Sequence, residues 1–364
     1  MVLSLIAFAF ASRAVLVVGP RDFEGAEAPY AAVSNTGVIC VAFGAGDGLY
    51  LSQSRNLGKT YEKPRRIGTA PKVMLGMRRG PRITATNDSI VVSAISEGNL
   101  LAWKSNDRGE SWIGPAQVND MPDSAREGLH AMDAVGSRVV CAWLDMREKG
   151  TQIYAAVSDD GGENWSSNMQ VYKSPGGSVC ECCHPSVDID ANGVIRVMFR
   201  NSLNGNRDMY VVEGRDIDGV ALNSGPSAQE GITWGKARVI GKDHWKLDRC
   251  PMDGGAISSD DQAHVWTIWR RNTTIYRTLV GSPEEKMGVG VQPWIYAKGG
   301  AYGVYLKARP GPMMVLKGTD AARQIAPMAD DPMVAGPVSG SGPVVAVWST
   351  PKGEIWTEVL GGIE

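Results

Sequence analysis

Apolar positions along this chain come in short alternating runs broken by glycine, proline and acid or amide residues. Val38-Ile-Cys40-Val-Ala-Phe43, Val139-Val-Cys141-Ala-Trp143 and Val344 to Trp348 each have the length of a strand. With turn formers crowded between such runs, the pattern predicts strands joined by tight turns and gives no amphipathic helix. The runs recur in units. Units open at Ala28-Pro29-Tyr30, Gly80-Pro81-Arg82-Ile83-Thr84, Gly128-Leu-His130-Ala131, Cys183-His184-Pro185 and Cys250-Pro251-Met252-Asp253, and a sixth opens at Ala326-Pro327.

One short pattern marks the end of three of these units. It reads Ser54-Arg-Asn56-Leu-Gly58-Lys-Thr60-Tyr61, Ser105-Asn-Asp107-Arg-Gly109-Glu-Ser111-Trp112 and Ser158-Asp-Asp160-Gly-Gly162-Glu-Asn164-Trp165, at intervals of about fifty residues. A fixed period of that size signals a repeat architecture built from small sheets that cannot bury their own faces alone. The chemistry is that of a stapled hairpin. An acid or amide two residues after a serine bonds back to the turn's amides, the glycine supplies a positive φ, and the aromatic ring plugs the space beneath. The pattern resembles the Asp-box of the sialidase-like β-propellers, and a fourth, broken copy runs from Gly214-Arg-Asp216-Ile-Asp218-Gly219 to Gly231-Ile-Thr233-Trp234. The resemblance implies an all-β, six-bladed, sialidase-like β-propeller. The boxes themselves belong on outer hairpins, where they serve structure rather than catalysis.

Composition narrows this further. The 364 residues, with 44 Gly, 20 Pro and 11 Trp, suit a repeat β fold forming a single domain over 15–364. Residues 1–14 are apolar and end in Ala11-Ser-Arg-Ala14, so they read either as a signal segment or as a first strand continuing into Ala14-Val-Leu-Val-Val18. That strand would complete the last sheet and close the ring. The net charge of −2 and the scattered basic residues point away from nucleic acid. No run of about 20 apolar residues offers a spanning helix. A secreted or periplasmic monomer is the expectation, with no cofactor.

In a propeller the first strand of every blade lines the axis, so the unit openings should converge. The converging set is Arg82, His130, Cys183, His184, Cys250, Met252 and Asp253, with Glu181 and Cys182 just upstream, and Arg126 and Glu127 precede the third opening. Second-strand ends add Asp145, Arg147, Arg200, Asn201, Arg270 and Arg271, and the polar turn after Phe199 adds Arg207. The resemblance implies a substrate carboxylate held by three arginines, a tyrosine nucleophile activated by a glutamate, and an aspartate as acid and base. Arg82-Ile83-Thr84 looks like the family's Arg-Ile-Pro with Thr in place of Pro. Arg200 and Arg270 or Arg271 follow in the family's order after Glu181, Tyr276 or Tyr302 could be the nucleophile, and Asp253 the remaining carboxyl group. A carbohydrate or another small anion is the implied ligand, because fixed guanidinium groups suit a carboxylate. A propeller that only binds, without turnover, fits the same residues.

The cysteines require a separate account. Cys40 and Cys141 occupy equivalent strand positions and read as small buried hydrophobes. Cys180, Cys182, Cys183 and Cys250 cluster at two neighbouring openings. A disulfide from Cys250 to one of the three upstream cysteines, a soft-metal site from Cys182, Cys183, His184 and Cys250 suited to copper or zinc, and free buried thiols all remain open.

Overall fold

A computed structural model of the protein describes residues 13–86, 89–216, 231–338 and 342–362. Among these the regular structure is entirely strand, arranged as antiparallel sheets set around one axis. The inner strands are Glu27–Val33, Arg82–Ala85, His130–Val135, Ser186–Ile189, Gly255–Ser259, Val291–Tyr296 and residues 330–335 of the long strand Arg323–Ala335. Each packs against the next, and the last returns to Glu27–Val33, so the ring is closed. The molecule is an all-β propeller.

Blade number departs from the expected six. Five sheets are separate blades, spanning 27–69, 82–117, 130–172, 186–240 and 255–289, while a sixth sheet has seven strands. In that sheet residues 323–329 pair with Gly311–Lys317, and residues 330–335 pair with Val344–Ser349. One strand therefore serves as the outer edge of one four-stranded unit and the inner strand of the next, and seven inner strands surround the axis. The turn between its two roles falls at Asp331, whose φ is +45°. The opening expected at Ala326-Pro327 lies instead in the outer half of this strand. The hairpins of the unit at 291–329 lack the repeated turn, so the spacing of that turn carries no sign of this unit.

The three repeated turns share one hydrogen-bond scheme. In the first, Ser54 Oγ donates to Asn56 Oδ1 at 3.0 Å, Ser54 Oγ accepts from the Gly58 amide at 2.9 Å, and Asn56 Oδ1 accepts from the Thr60 amide at 3.0 Å. Asp107 and Asp160 repeat it, taking the Ser111 and Asn164 amides, each at 2.9 Å. All three lie between the third and fourth strands of a blade. The broken fourth copy falls partly outside the described residues, as do residues 1–12.

Most of the hydrophobic cores are shared by two adjacent blades. Leu51 and Val92 belong to one between the first and second, Val91 and Cys141 to one between the second and third, and Val140 and Ile189 to one between the third and fourth. The largest runs from the fifth blade through the seven-stranded sheet to the first. Val15–Val18 pairs with Ile355–Gly361 as the outermost strand of the seven-stranded sheet, so the two ends of the described chain close the ring together.

Candidate functional site at the blade openings

The arginines at the blade openings are bonded into the scaffold. Arg82 is 3 % exposed, donates to the carbonyls of Gly80 and Pro81 at 3.2 and 3.0 Å, and lies 4.9 Å over the Tyr30 ring. Arg78, absent from the sequence-based set, donates to the Pro332 and Gln292 carbonyls, both at 2.6 Å. Burial pulls the Arg78 guanidinium down to about 10. Arg200 is 1 % exposed and gives all three nitrogens to backbone carbonyls, of Asp253 at 3.0 Å, Arg207 at 2.6 Å and Arg270 at 2.9 Å. Arg270 pairs with Asp253 at 2.9 Å, and the buried carboxylate also accepts the Gln292 amide at 3.0 Å. These contacts tie neighbouring openings to one another and leave Arg82 and Arg200 no free pair of donors for a carboxylate.

The other expected residues divide by position. His130 meets Ser93 Oγ at 2.9 Å, and His184 stacks on Trp294 with centroids 5.6 Å apart; both are buried, which drives both well below the usual imidazole range. Asp145 and Arg147 form a brace, the carboxylate taking the Trp143 indole at 2.8 Å and the Arg147 Nε at 2.9 Å. Arg271 points away from Arg270, pairing with Asp243 and Glu284 and lying 4.1 Å over Tyr276. Tyr276 itself stacks on Trp269 in the core between the fourth and fifth blades. Tyr302 is buried in the large core of the seven-stranded sheet. Glu181 is exposed and accepts from Ser178 Oγ at 2.8 Å. The structure brings Arg200, Arg270 and Asp253 together and keeps Tyr276 on a different face from Glu181.

A cavity of about 390 Å3 does open at this end, lined by Glu127, Ser178, Cys180, Glu181, Cys182, Ser202, Arg207 and Cys250. Three loops build it. The segment between Met169–Tyr172 and Ser186–Ile189 is held by the Val179 amide on the Thr151 carbonyl at 2.9 Å and the Cys180 amide on the Arg200 carbonyl at 3.0 Å. The hairpin carrying Arg207 turns at Asn204-Gly205, both with positive φ, the pairing that a two-residue turn of this hand requires. The Arg207 amide then donates to the Trp245 carbonyl at 2.8 Å. The Arg207 Nε, like that of Arg82 and unlike that of Arg200, is buried without a hydrogen-bond partner. Glu127 is pushed up by partial burial, with Arg79 opposing and the nearby Glu181 adding to the rise. Sequence reasoning placed Glu127 beside the third opening but missed Ser178 and Ser202 as wall residues. The Asn204-Gly205 dipeptide was the available signal for the hairpin.

Sulfur forms one wall. Cys182 and Cys250 are joined in a disulfide with Cα atoms 6.4 Å apart, while Cys40, Cys141, Cys180 and Cys183 are free and buried. Cys180 Sγ lies 3.2 Å from Cys183 Sγ and 3.7 Å from Cys182 Sγ. The Cys183 contact, with the fields of Arg200 and Arg207, brings the Cys180 thiol down to about 7, whereas burial raises Cys183. His184 stands apart from this group. The run from Cys180 to His184 also has the Cys-x-x-Cys-His spacing of covalent haem attachment. It does not fit that group, since His184 is 1 % exposed and its ring lies against Gly254 and Trp294.

A smaller cavity of about 100 Å3 occupies the axis toward the other ends of the inner strands, lined by Thr84, Asp133, Asp188, Ser258, Tyr296 and Lys298 among others. Asp133 accepts the Ala134 and Ile189 amides at 2.9 and 3.0 Å. Desolvation, with Asp188 adding to it against Lys298, lifts its carboxyl to about 6.

No protein-family profile matches the chain, and no curated protein matches it by sequence. Solved structures do. Virginiamycin B lyase from Staphylococcus aureus is similar at 11 % identity and a TM-score of 0.53, covering 96 % of this chain and 98 % of that one. The NanB sialidase from Streptococcus pneumoniae is similar at 16 % identity and a TM-score of 0.38, over 62 % of this chain and 32 % of that one. The Aleuria aurantia lectin, in complex with a fucoside, is similar at 11 % identity and a TM-score of 0.49, over 85 % and 96 %. At such identities the lyase shows the fold alone. The closed ring of strands, with the fold likeness to the lyase, makes the chain a β-propeller.

Proposed function

We propose that this propeller takes an acidic carbohydrate in the cavity between Glu127, Glu181 and Arg207, as a sialidase-like glycoside hydrolase or as a non-catalytic relative. The observation that carries the reading is that the cation Arg207 lines a cavity of about 390 Å3 together with Glu127 and Glu181. A planar guanidinium with open donors suits a carboxylate, and the serine and glutamate oxygens around it suit hydroxyl groups. The three-arginine clamp is not what supports this reading, because Arg82 and Arg200 donate to carbonyls. Glu127 and Glu181 provide two carboxyl groups in one cavity, and the raised Glu127 suits the proton donor that glycosidic cleavage requires. The Cys182–Cys250 bridge supports an oxidising compartment, in line with secretion or a periplasmic location.

Titration calorimetry with N-acetylneuraminic acid and glucuronic acid, alongside fluorogenic sialosides and uronides, tests the reading. Binding should weaken at least about tenfold in Arg207→Ala, the loss of one charge-assisted pair. If cleavage occurs, Glu127→Gln should abolish it with binding retained, while binding without cleavage identifies the non-catalytic relative. Wild-type protein that neither binds nor cleaves any of these compounds removes the carbohydrate reading.

A further inference from the structure

The disulfide accounts for two of four sulfurs and leaves two unexplained. Cys180 and Cys183 are each 1 % exposed, and their sulfurs lie 3.2 Å apart. Cys180 Sγ is 3.7 Å and Cys183 Sγ 4.0 Å from Cys182 Sγ, and the Cys180, Cys182 and Cys250 sulfurs all fall within 4.8 Å of one another. A tetrahedral site with metal–sulfur bonds of about 2.3 Å sets its sulfurs about 3.8 Å apart. The separations among Cys180, Cys182 and Cys183 surround that value, while Cys250 falls within 4.8 Å of Cys180 and Cys182 but not of Cys183, so opening of the bridge must bring the Cys250 sulfur toward Cys183. The four residues come from two loops 68 residues apart along the chain at the bridge, so the fold, and not a local motif, assembles them.

The backbone around the group is already ordered. The Cys180 amide is held by the Arg200 carbonyl at 3.0 Å, and the Cys183 amide turns back toward the Cys180 carbonyl at 3.4 Å. Exposure is graded in a useful way, with Cys180 buried, Cys182 intermediate and Cys250 exposed, which gives a cation an entry from the cavity. Four thiolates around one cation leave a net negative charge, and Arg207 lines the same cavity with an unpartnered Nε to offset it.

We propose that, once the Cys182–Cys250 bridge is reduced, Cys180, Cys182, Cys183 and Cys250 hold one thiophilic d10 cation, zinc(II) or copper(I). Reduction needs an external dithiol: it supplies two electrons and two protons, the sulfur–sulfur bond opens to two thiols, and the reductant leaves as its own disulfide. The cation then replaces the thiol protons, which pass to solvent. An external disulfide reverses the sequence: it accepts two electrons from Cys182 and Cys250 and leaves as its dithiol, the sulfur–sulfur bond re-forms, Cys180 and Cys183 regain protons from solvent and the metal is released. The bridged and metal-bound forms are thus alternative states of the same four residues.

The test uses the full chain, reduced with dithiothreitol without oxygen, desalted, and offered zinc(II) or copper(I) in separate arms. One equivalent of metal should stay with the protein through gel filtration, and the arm that retains it identifies the cation. Cobalt(II) in place of zinc should give thiolate charge-transfer absorption and the visible bands of tetrahedral coordination. Affinity should fall at least tenfold in Cys180→Ser and Cys250→Ser and stay unchanged in Cys40→Ser and Cys141→Ser. Six reactive thiols with no metal retained by the reduced wild type in either arm would overturn the proposal, as would full retention by Cys180→Ser. The wild-type measurement stands even if a variant fails to fold. Metal content is also read separately from sugar binding, so failure of the carbohydrate reading leaves it intact.

Discussion

Glycine at the repeated turns does more than permit a backbone angle. A Cβ on Gly109, where φ is +87°, would stand 2.7 Å from Leu51 of the preceding blade, and Gly58 and Gly162 meet Val359 and Val91 in the same manner. Each turn is thus wedged against its neighbour. Gly109→Ala should cost about 2–4 kcal/mol from the positive φ and the displaced Leu51 side chain. Gly136→Ala, at φ +58° with open space around it, should cost only about 1 kcal/mol. Denaturant unfolding of the two variants checks this, and equal losses would mean that the wedge is immaterial. Asp133 gives a pH signature of its own. Its folded value of about 6 exceeds the unfolded value of about 3.9, so the folded state binds the proton more tightly. The associated stability is present below about pH 4 and is lost as pH rises through about 6, a difference of roughly 2–3 kcal/mol. Asp133→Asn should flatten that part of the stability profile relative to wild type, measured by unfolding at intervals from pH 4 to 7.

At the level of strands and turns, ring closure depends on Val15–Val18. Its pairing with Ile355–Gly361 covers an edge that would otherwise offer unpaired amides and carbonyls to another chain. Val17 and Val18 are also buried, each contributing about 2 kcal/mol. A chain lacking residues 1–18 should lose roughly 3–5 kcal/mol and self-associate. Thermal unfolding and gel filtration would show both, and an unchanged monomer would mean that the strand is dispensable. The long strand Arg323–Ala335 teaches a different lesson. Its two halves pair with different partners on either side of Asp331, which is why a period taken from repeated turns undercounted the inner strands.

Across the whole molecule, the openings of the blades are bound together by buried polar contacts and by one covalent link. Arg78 reaches from before the second blade to Gln292 and Pro332, and Arg200 reaches from the fourth blade to Asp253 and Arg270. The Cys182–Cys250 bridge spans the fourth and fifth openings with a sequence separation of 68. A loop of that size restricts the unfolded chain by roughly 4 kcal/mol at most. Under oxidising conditions Cys250→Ser should therefore lower stability by about 2–4 kcal/mol. Denaturant unfolding measures it, and no change would show that the openings are held by the arginine network alone.

Much was legible in the residues themselves. Alternating runs bounded by glycine and proline determined the strands, and the turn chemistry of Ser-x-Asp-x-Gly, with Asn in place of Asp in the first copy, being local, determined three hairpins and the repeat they mark. Arg82 and His130 begin inner strands and Asp253 lies just before another, positions that the alternating pattern marks. What the side chains do on arrival was decided only by tertiary structure. A guanidinium near a strand end looks the same in sequence whether it lines a cavity, as Arg207 does, or donates to three carbonyls, as Arg200 does. Tyr276 could be assigned to a strand but not to a face turned toward the space between blades. Blade number, the partner of Cys250 and the meeting of four sulfurs depend on loops that close over long stretches of chain, and no short-range pattern encodes which distant residue comes to lie opposite.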